Sequence, residues 1–202
     1  MRTALIWIAL ALALSAPLVA AGFSPQLQWR SGIYIASGFA GILAMGLLLI
    51  QPLLAAGDLP ASGMSRSRKV HRAIGGVLFL AVVGHIAGLW LTSPPDVMDA
   101  LLFASPTPFS HWGVIAMWAV FGAALVAILR RRMNVRPLTW RRVHVGLAVI
   151  IAITTVAHAA LINGTMELIT KICLSILVLT ATARVAYLTW RMGKKRRPSS
   201  SR

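Results

Sequence analysis

Residues His71–Trp90 read HRAIGGVLFLAVVGHIAGLW, and their reading decides the fold. The run is apolar and about 20 residues long, the length an α-helix needs to cross the hydrocarbon core of a bilayer. It also carries His71 and His85. Ionisable groups are costly in lipid and usually functional there. Fourteen positions separate the two. Fourteen steps of an α-helix bring side chains back to within about 40° of one another and rise about 21 Å. Both imidazoles therefore lie on one helix face, one toward each surface of the membrane.

Five further segments have comparable length and character. With His71–Leu91 as the third, the spans are Ala4–Ala21, Ile33–Ile50, His111–Leu129, His144–Ile162 and Leu168–Trp190. The connections are short, and Pro, Gly and Ser punctuate them. No soluble domain fits between them. Hydrophobic residues make up 58% of the chain and charged residues only 12%. A water-soluble domain carries about 25% charged residues, so the membrane class is expected. The predicted fold is an all-α, six-helix transmembrane bundle. Residues 1–31 form a first helix and outer loop, 32–190 a five-helix core, and 191–202 a basic tail.

The net charge of +16 does not point to nucleic acid, because the basic residues lie between the apolar runs. That is where membrane proteins keep them on the cytoplasmic side. Arg66, Arg68 and Lys69 precede the third span. Arg130, Arg131, Arg132, Arg136, Arg141 and Arg142 separate the fourth from the fifth. Arg191, Lys194, Lys195, Arg196 and Arg197 follow the sixth. The segment Thr92–Ser110 carries only Asp96 and Asp99, and belongs outside with the short link Asn163–Met166. Both termini are therefore expected in the cytoplasm of a multi-pass protein of the bacterial inner membrane. The first span has a basic start and small residues near Ala20–Gly22, so a cleaved signal peptide is its other reading. A retained helix is preferred for the length of its apolar run. The single cysteine, Cys173, excludes an internal disulfide and any Cys-cluster metal site, and is expected to be a small buried filler.

The fifth span repeats the spacing of the third. His144 and His158 are also fourteen apart, on a helix running in the same direction. His71 then lies level with His144, and His85 with His158. Two facing imidazoles offer a nitrogen on each side of an iron, as a b-type haem requires. Zinc needs three or four converging ligands, and each level offers two. The plainer alternative is a set of core histidines hydrogen-bonded between helices, and a proton or ion path is a third. Gly75, Gly84, Gly88 and Gly146 lie near the histidines, either to admit a flat macrocycle or to allow close helix packing. Arg72, Arg141 and Arg142 flank the inner pair as partners for haem propionates, or serve as cytoplasmic anchors. Arg184, inside the sixth span, either snorkels inward or meets a propionate. His111 and Trp112 read as an outer interfacial belt.

"HRAIGG" with His85, and "WRRVHVG" with His158, resemble the ferric-reductase-like transmembrane domain family. That family includes the membrane halves of ferric reductases and NADPH oxidases. It also includes the small haem-binding membrane subunit of the bacterial periplasmic methionine sulfoxide reductase system. Trp140, followed by Val143 and His144, matches the family's Trp-x-x-apolar-His motif, and the likeness extends over roughly residues 35–190. The resemblance implies two b-type haems, an inner one on His71 and His144 and an outer one on His85 and His158. Trp140, through that motif, and Arg72, as the best placed of the three arginines for a propionate, are further cofactor-binding candidates. The second pair is often thirteen apart in the family, and fourteen here. The methionine-sulfoxide subunit usually has arginine in place of His71, so this chain reads as a two-haem member.

The expected activity is electron transfer through the bilayer, from a cytoplasmic flavoprotein reductase or quinol to ferric iron or a periplasmic redox partner. Haem supplies the redox chemistry, and the protein supplies position and ligation. Flavin or quinone is a further cofactor candidate on the donor side. Residues 191–202 hold no Gly-rich phosphate motif, so no nicotinamide domain is expected there. The alternatives are the haem subunit of a periplasmic methionine sulfoxide reductase system, and, from another class, a haem sensor or a non-redox membrane anchor or transport component.

Overall fold

The computed structural model describes residues 1–60, 63–130, 132 and 134–195, with side chains to residue 192. Arg131, Arg196 and Arg197 of the basic segments lie outside the described residues. The described chain is all-helical. Six helices are long and apolar enough to cross a membrane, which makes this a multi-pass membrane protein. They are α1 (Arg2–Gly22), α2 (Gly32–Ala56), α3 (Met64–Thr92), α5 (Pro108–Leu129), α6 (Pro137–Leu161) and α7 (Leu168–Lys195). A short 3-10 turn, Pro25–Leu27, links α1 to α2, and an additional helix, α4 (Pro94–Leu101), lies between α3 and α5.

Local sequence explains where the helices begin and end. Ser31 accepts a hydrogen bond from the Tyr34 amide and opens α2. Gly57 closes it with φ of 75°, a left-handed conformation that glycine adopts without strain. Proline stands in the first turn of α4, α5 and α6, where its missing N–H is not needed. Pro17 and Pro52 lie inside α1 and α2, which membrane helices tolerate.

Helices α2, α3, α5, α6 and α7 form a ring. Helix α2 packs closely on α3 and α7, and α6 packs on α5 and α7, while α3 meets α5 more lightly. Helix α1 lies outside this ring against α2 and α7. One buried layer draws on all five: Met45, Leu48 and Leu49 from α2, Leu78 from α3, Ala119 and Val120 from α5, Ile151 and Ala152 from α6, and Leu174 and Val178 from α7. Lipid tails are as apolar as these side chains, so close packing rather than water exclusion holds such a layer. Gly88 shows how tight it is: a Cβ there would come within 2.7 Å of the Ser37 Cβ.

The buried stripe of α7 runs through Lys171, Leu174, Ser175, Val178, Thr182, Val185 and Thr189. Cys173 falls off that stripe and is exposed, not buried as its apolar setting suggested. Arg184 is also off the stripe. It does not reach toward the histidines but forms a two-pronged ion pair with Asp58, at 2.6 and 2.9 Å.

Candidate functional site

Helices α3 and α6 carry their histidines in the same register. Met64 to His71 and Pro137 to His144 are the same seven-residue step from each helix start. The rings face across the bundle in two tiers. His71 and His144 have centroids 6.3 Å apart with planes at 66°. His85 and His158 have centroids 6.5 Å apart with planes at 80°. Midway between the tiers, seven residues from each histidine on its own helix, Leu78 and Ile151 are both buried. They place an apolar layer between the two pairs.

Three of the four rings are seated on a backbone carbonyl of the preceding helix. His85 Nδ1 donates to Ser37 O at 2.8 Å, and His158 Nδ1 donates to Phe109 O at 2.8 Å. His71 Nδ1 donates to Gln51 O at 3.2 Å. A carbonyl only accepts, so in each ring Nδ1 carries the hydrogen and Nε2 keeps its lone pair. Metal-ligating histidines are tethered in this way, with one nitrogen bonded and the other free to ligate. Glycine makes room for both outer rings. A Cβ on Gly41 would come within 3.0 Å of the His85 ring, and one on Gly113 within 2.7 Å of the His158 ring. Each glycine lies four residues after the residue whose carbonyl holds the ring.

The α2 side chains complete the α3 seats. The Ser37 hydroxyl donates to the His85 carbonyl at 2.7 Å, and Gln51 Nε2 donates to the His71 carbonyl at 3.3 Å. The histidine pattern does not reveal these residues, but a signal was present. Ser37 and Gln51 are themselves fourteen apart in an apolar span, antiparallel to the pair they serve.

His144 is seated differently. Its Nδ1 is buried and has no hydrogen-bond partner among the described residues. Trp140 stacks on the ring at 5.1 Å and 9°. Trp140 is itself fixed, with its indole N–H donating to Val126 O at 3.3 Å and the Arg130 guanidinium 4.2 Å above its ring. A buried polar atom without a partner costs about 1–3 kcal/mol. His144 Nδ1 is thus left open to a partner that the described protein atoms do not supply.

The remaining candidates are less engaged. Arg72 and Arg142 are exposed. Arg141 donates to Thr189 Oγ1 at 3.2 Å and contacts the Met192 sulfur, tying α6 to α7. His111 stacks on Phe103 and bonds its carbonyl at 3.1 Å. Of the glycines, Gly75 lies against Gln51 and Gly88 against Ser37, which is packing, whereas Gly84 and Gly146 have nothing within 4 Å of a Cβ position. Lys171, buried in α7, donates to the Ile162 carbonyl at 2.8 Å and caps the end of α6.

The donor set fits a bis-imidazole haem. Metal–imidazole bonds are about 2.0–2.1 Å. A ring nitrogen lies about 1.1 Å from its centroid, so two imidazoles ligating one metal from opposite sides have centroids about 6.3 Å apart. Both tiers have that separation. Among the described residues no three His, Cys, Asp or Glu side chains converge on one point, which disfavours a metal held by protein ligands alone.

A polytopic bundle with paired intramembrane histidines is consistent with a membrane electron-transfer component. The family model described as ferric reductase like transmembrane component matches residues 37–155, more than half of the chain, and the protein belongs to that family. The match contains His71, His85, Trp140 and His144, and it stops short of His158. Ferric reductase-like domains generally bind haem. Neither the curated proteins nor the solved structures yield a match.

Proposed function

We propose that this protein is an integral-membrane di-haem b cytochrome subunit. It passes electrons across the bilayer from a cytoplasmic flavoprotein or a quinol to an outer acceptor, ferric iron or a periplasmic redox partner. The observation that carries this reading is the pair of facing histidine tiers, each at the centroid separation of a bis-imidazole metal site. His71 and His144 hold the inner haem, and His85 and His158 hold the outer one. When bound, haem iron accepts and releases one electron at a time.

The chain's own residues do the positioning. Ser37, Gln51 and Phe109 present carbonyls that lock the tautomer of three rings and raise their basicity as ligands. Trp140 orients the fourth by stacking. The layer holding Leu78 and Ile151 keeps water from the space between the tiers. Arg72 lies on the same helix turn as His71 and is the candidate partner for an inner propionate.

The test is a reduced-minus-oxidised spectrum of the purified protein with haem quantified per chain. About two b-type haems per chain are expected. His85→Ala and His158→Ala should each lose the outer haem, and His71→Ala and His144→Ala the inner one. Wild-type haem content in all four variants would refute the ligand assignment. One haem in the native protein would favour the methionine-sulfoxide-type subunit. Haem that no donor reduces would favour a sensor, and absence of haem an anchor or transport component.

A further inference from the structure

The histidine-bearing interior leaves one cleft of the bundle unexplained. It lies between α1, the end of α2 and the start of α3, and measures about 460 Å³, within the roughly 300–1,000 Å³ of ligand clefts. Its walls include Leu10, Leu14, Ile50, Leu54 and Ile74, and among the described residues Arg66 is the sole charged one lining it. Arg66 also lines a second hollow, with Gly63, Ser65 and Lys69, so two basic side chains border it. An apolar trough thus opens directly onto a cationic mouth.

No acidic side chain is left free to balance that mouth. The whole chain has four carboxylate side chains. Asp58, the nearest in sequence, is taken by both prongs of Arg184. Asp96, Asp99 and Glu167 belong to the links at the other end of the bundle. Arg66 and Lys69 form no ion pair among the described residues. Basic side chains beside an apolar surface at the end of a span attract anionic lipid headgroups.

We propose that this cleft is a binding site for one anionic phospholipid. Its phosphate is held by Arg66 and Lys69, and an acyl chain lies along Leu10, Leu14, Ile50 and Ile74. The occupant is a whole lipid rather than a free phosphate, because the cationic mouth is continuous with the apolar trough through Arg66. The inference does not rest on the haem reading. The lipid wedges α1 onto the ring, and α1 otherwise touches only α2 and α7 closely.

The experiment uses the full chain, delipidated in detergent. Thermal unfolding is followed while phosphatidylglycerol or phosphatidylcholine of matched chains is added in mixed micelles. Phosphatidylglycerol should raise the midpoint more than phosphatidylcholine, saturating near one lipid per chain, and native mass spectrometry should show that one lipid retained. Arg66→Gln with Lys69→Gln should weaken the phosphatidylglycerol effect about thirtyfold, about fivefold for each basic side chain. Arg132→Gln with Arg136→Gln removes equal charge elsewhere at the same end and should leave the effect intact. Ala11→Phe fills the trough without touching the charge, and should abolish lipid retention. Equal stabilisation by both lipids would overturn the proposal, as would equal loss in the two arginine-containing double variants. Stabilisation by a neutral short-chain quinone analogue in place of phosphatidylglycerol would overturn it in favour of a quinone site.

Discussion

The four imidazoles are not seated alike, and the difference resides in single atoms. Both outer rings rest on a carbonyl at 2.8 Å beside a glycine, whereas the inner rings have one longer bond and one indole stack. The glycines should therefore matter most in the outer tier. Gly113→Ala puts a methyl group within 2.7 Å of the His158 ring, so the ring or α5 must move. Such overpacking costs about 1–3 kcal/mol. Under the di-haem reading, Gly113→Ala should lose outer haem, and Gly41→Ala, with its wider 3.0 Å approach, should lose less. Haem per chain and the unfolding midpoint measure both. Full retention of haem and stability in Gly113→Ala would show that the glycine does not shape the seat. The histidines were legible in the sequence because each is an expensive residue in an apolar run. The backbone carbonyls of Ser37, Gln51 and Phe109 were not, because an acceptor atom that every residue possesses leaves no mark in the residue type.

Helix termini carry a second layer of information. Glu167 sits immediately before α7 and accepts hydrogen bonds from the Ile169 and Thr170 amides, both at 2.8 Å. Those bonds hold its carboxyl below the ordinary glutamate range. A folded-state value below the unfolded one gives stability that is present above the unfolded pKa. It is lost as pH falls through the folded pKa. The wild-type midpoint should therefore decline in acid, below the usual glutamate range, and Glu167→Gln should lack that part of the decline. A parallel acid profile in the variant would remove Glu167 from the account. Helix α4 shows the limit of reading elements from sequence. Pro94–Leu101 is only eight residues long, inside a segment expected to be a loop. The Ser93 hydroxyl bonds the Asp96 carboxylate at its start, and contacts with α3 and α5 hold it in place. Cys173 makes the same point: burial on α7 follows the stripe set by α2 and α6, not the hydrophobicity of the run.

The molecule as a whole is polarised. The loops and ends beside Arg66, Arg136 and Arg191 gather at one end of the bundle, and Asp96, Asp99 and Glu167 lie at the other. The charge bias predicts that the basic end faces the cytoplasm. A reporter active only outside the cytoplasm should work when inserted after Ser105 and fail when fused after Arg202. The reverse result would invert the direction proposed for electron flow. The two pairs of helices α2/α3 and α5/α6 are built on one plan, in which the first helix holds a histidine of the second through its backbone. That plan keeps α3 and α6 apart from direct close packing while their rings meet between them.

Span number, the polarity of the loops and the level matching of His71 with His144 and His85 with His158 were already set by the order of residues. These are properties of one helix at a time, governed by hydropathy and a period of 3.6 residues. Tertiary structure alone decided which carbonyls hold His71, His85 and His158, where Arg184 finds its counter-charge and how a cationic mouth meets an apolar cleft. Each of these depends on how close a second helix comes, and packing between helices is a relation that no single stretch of chain contains.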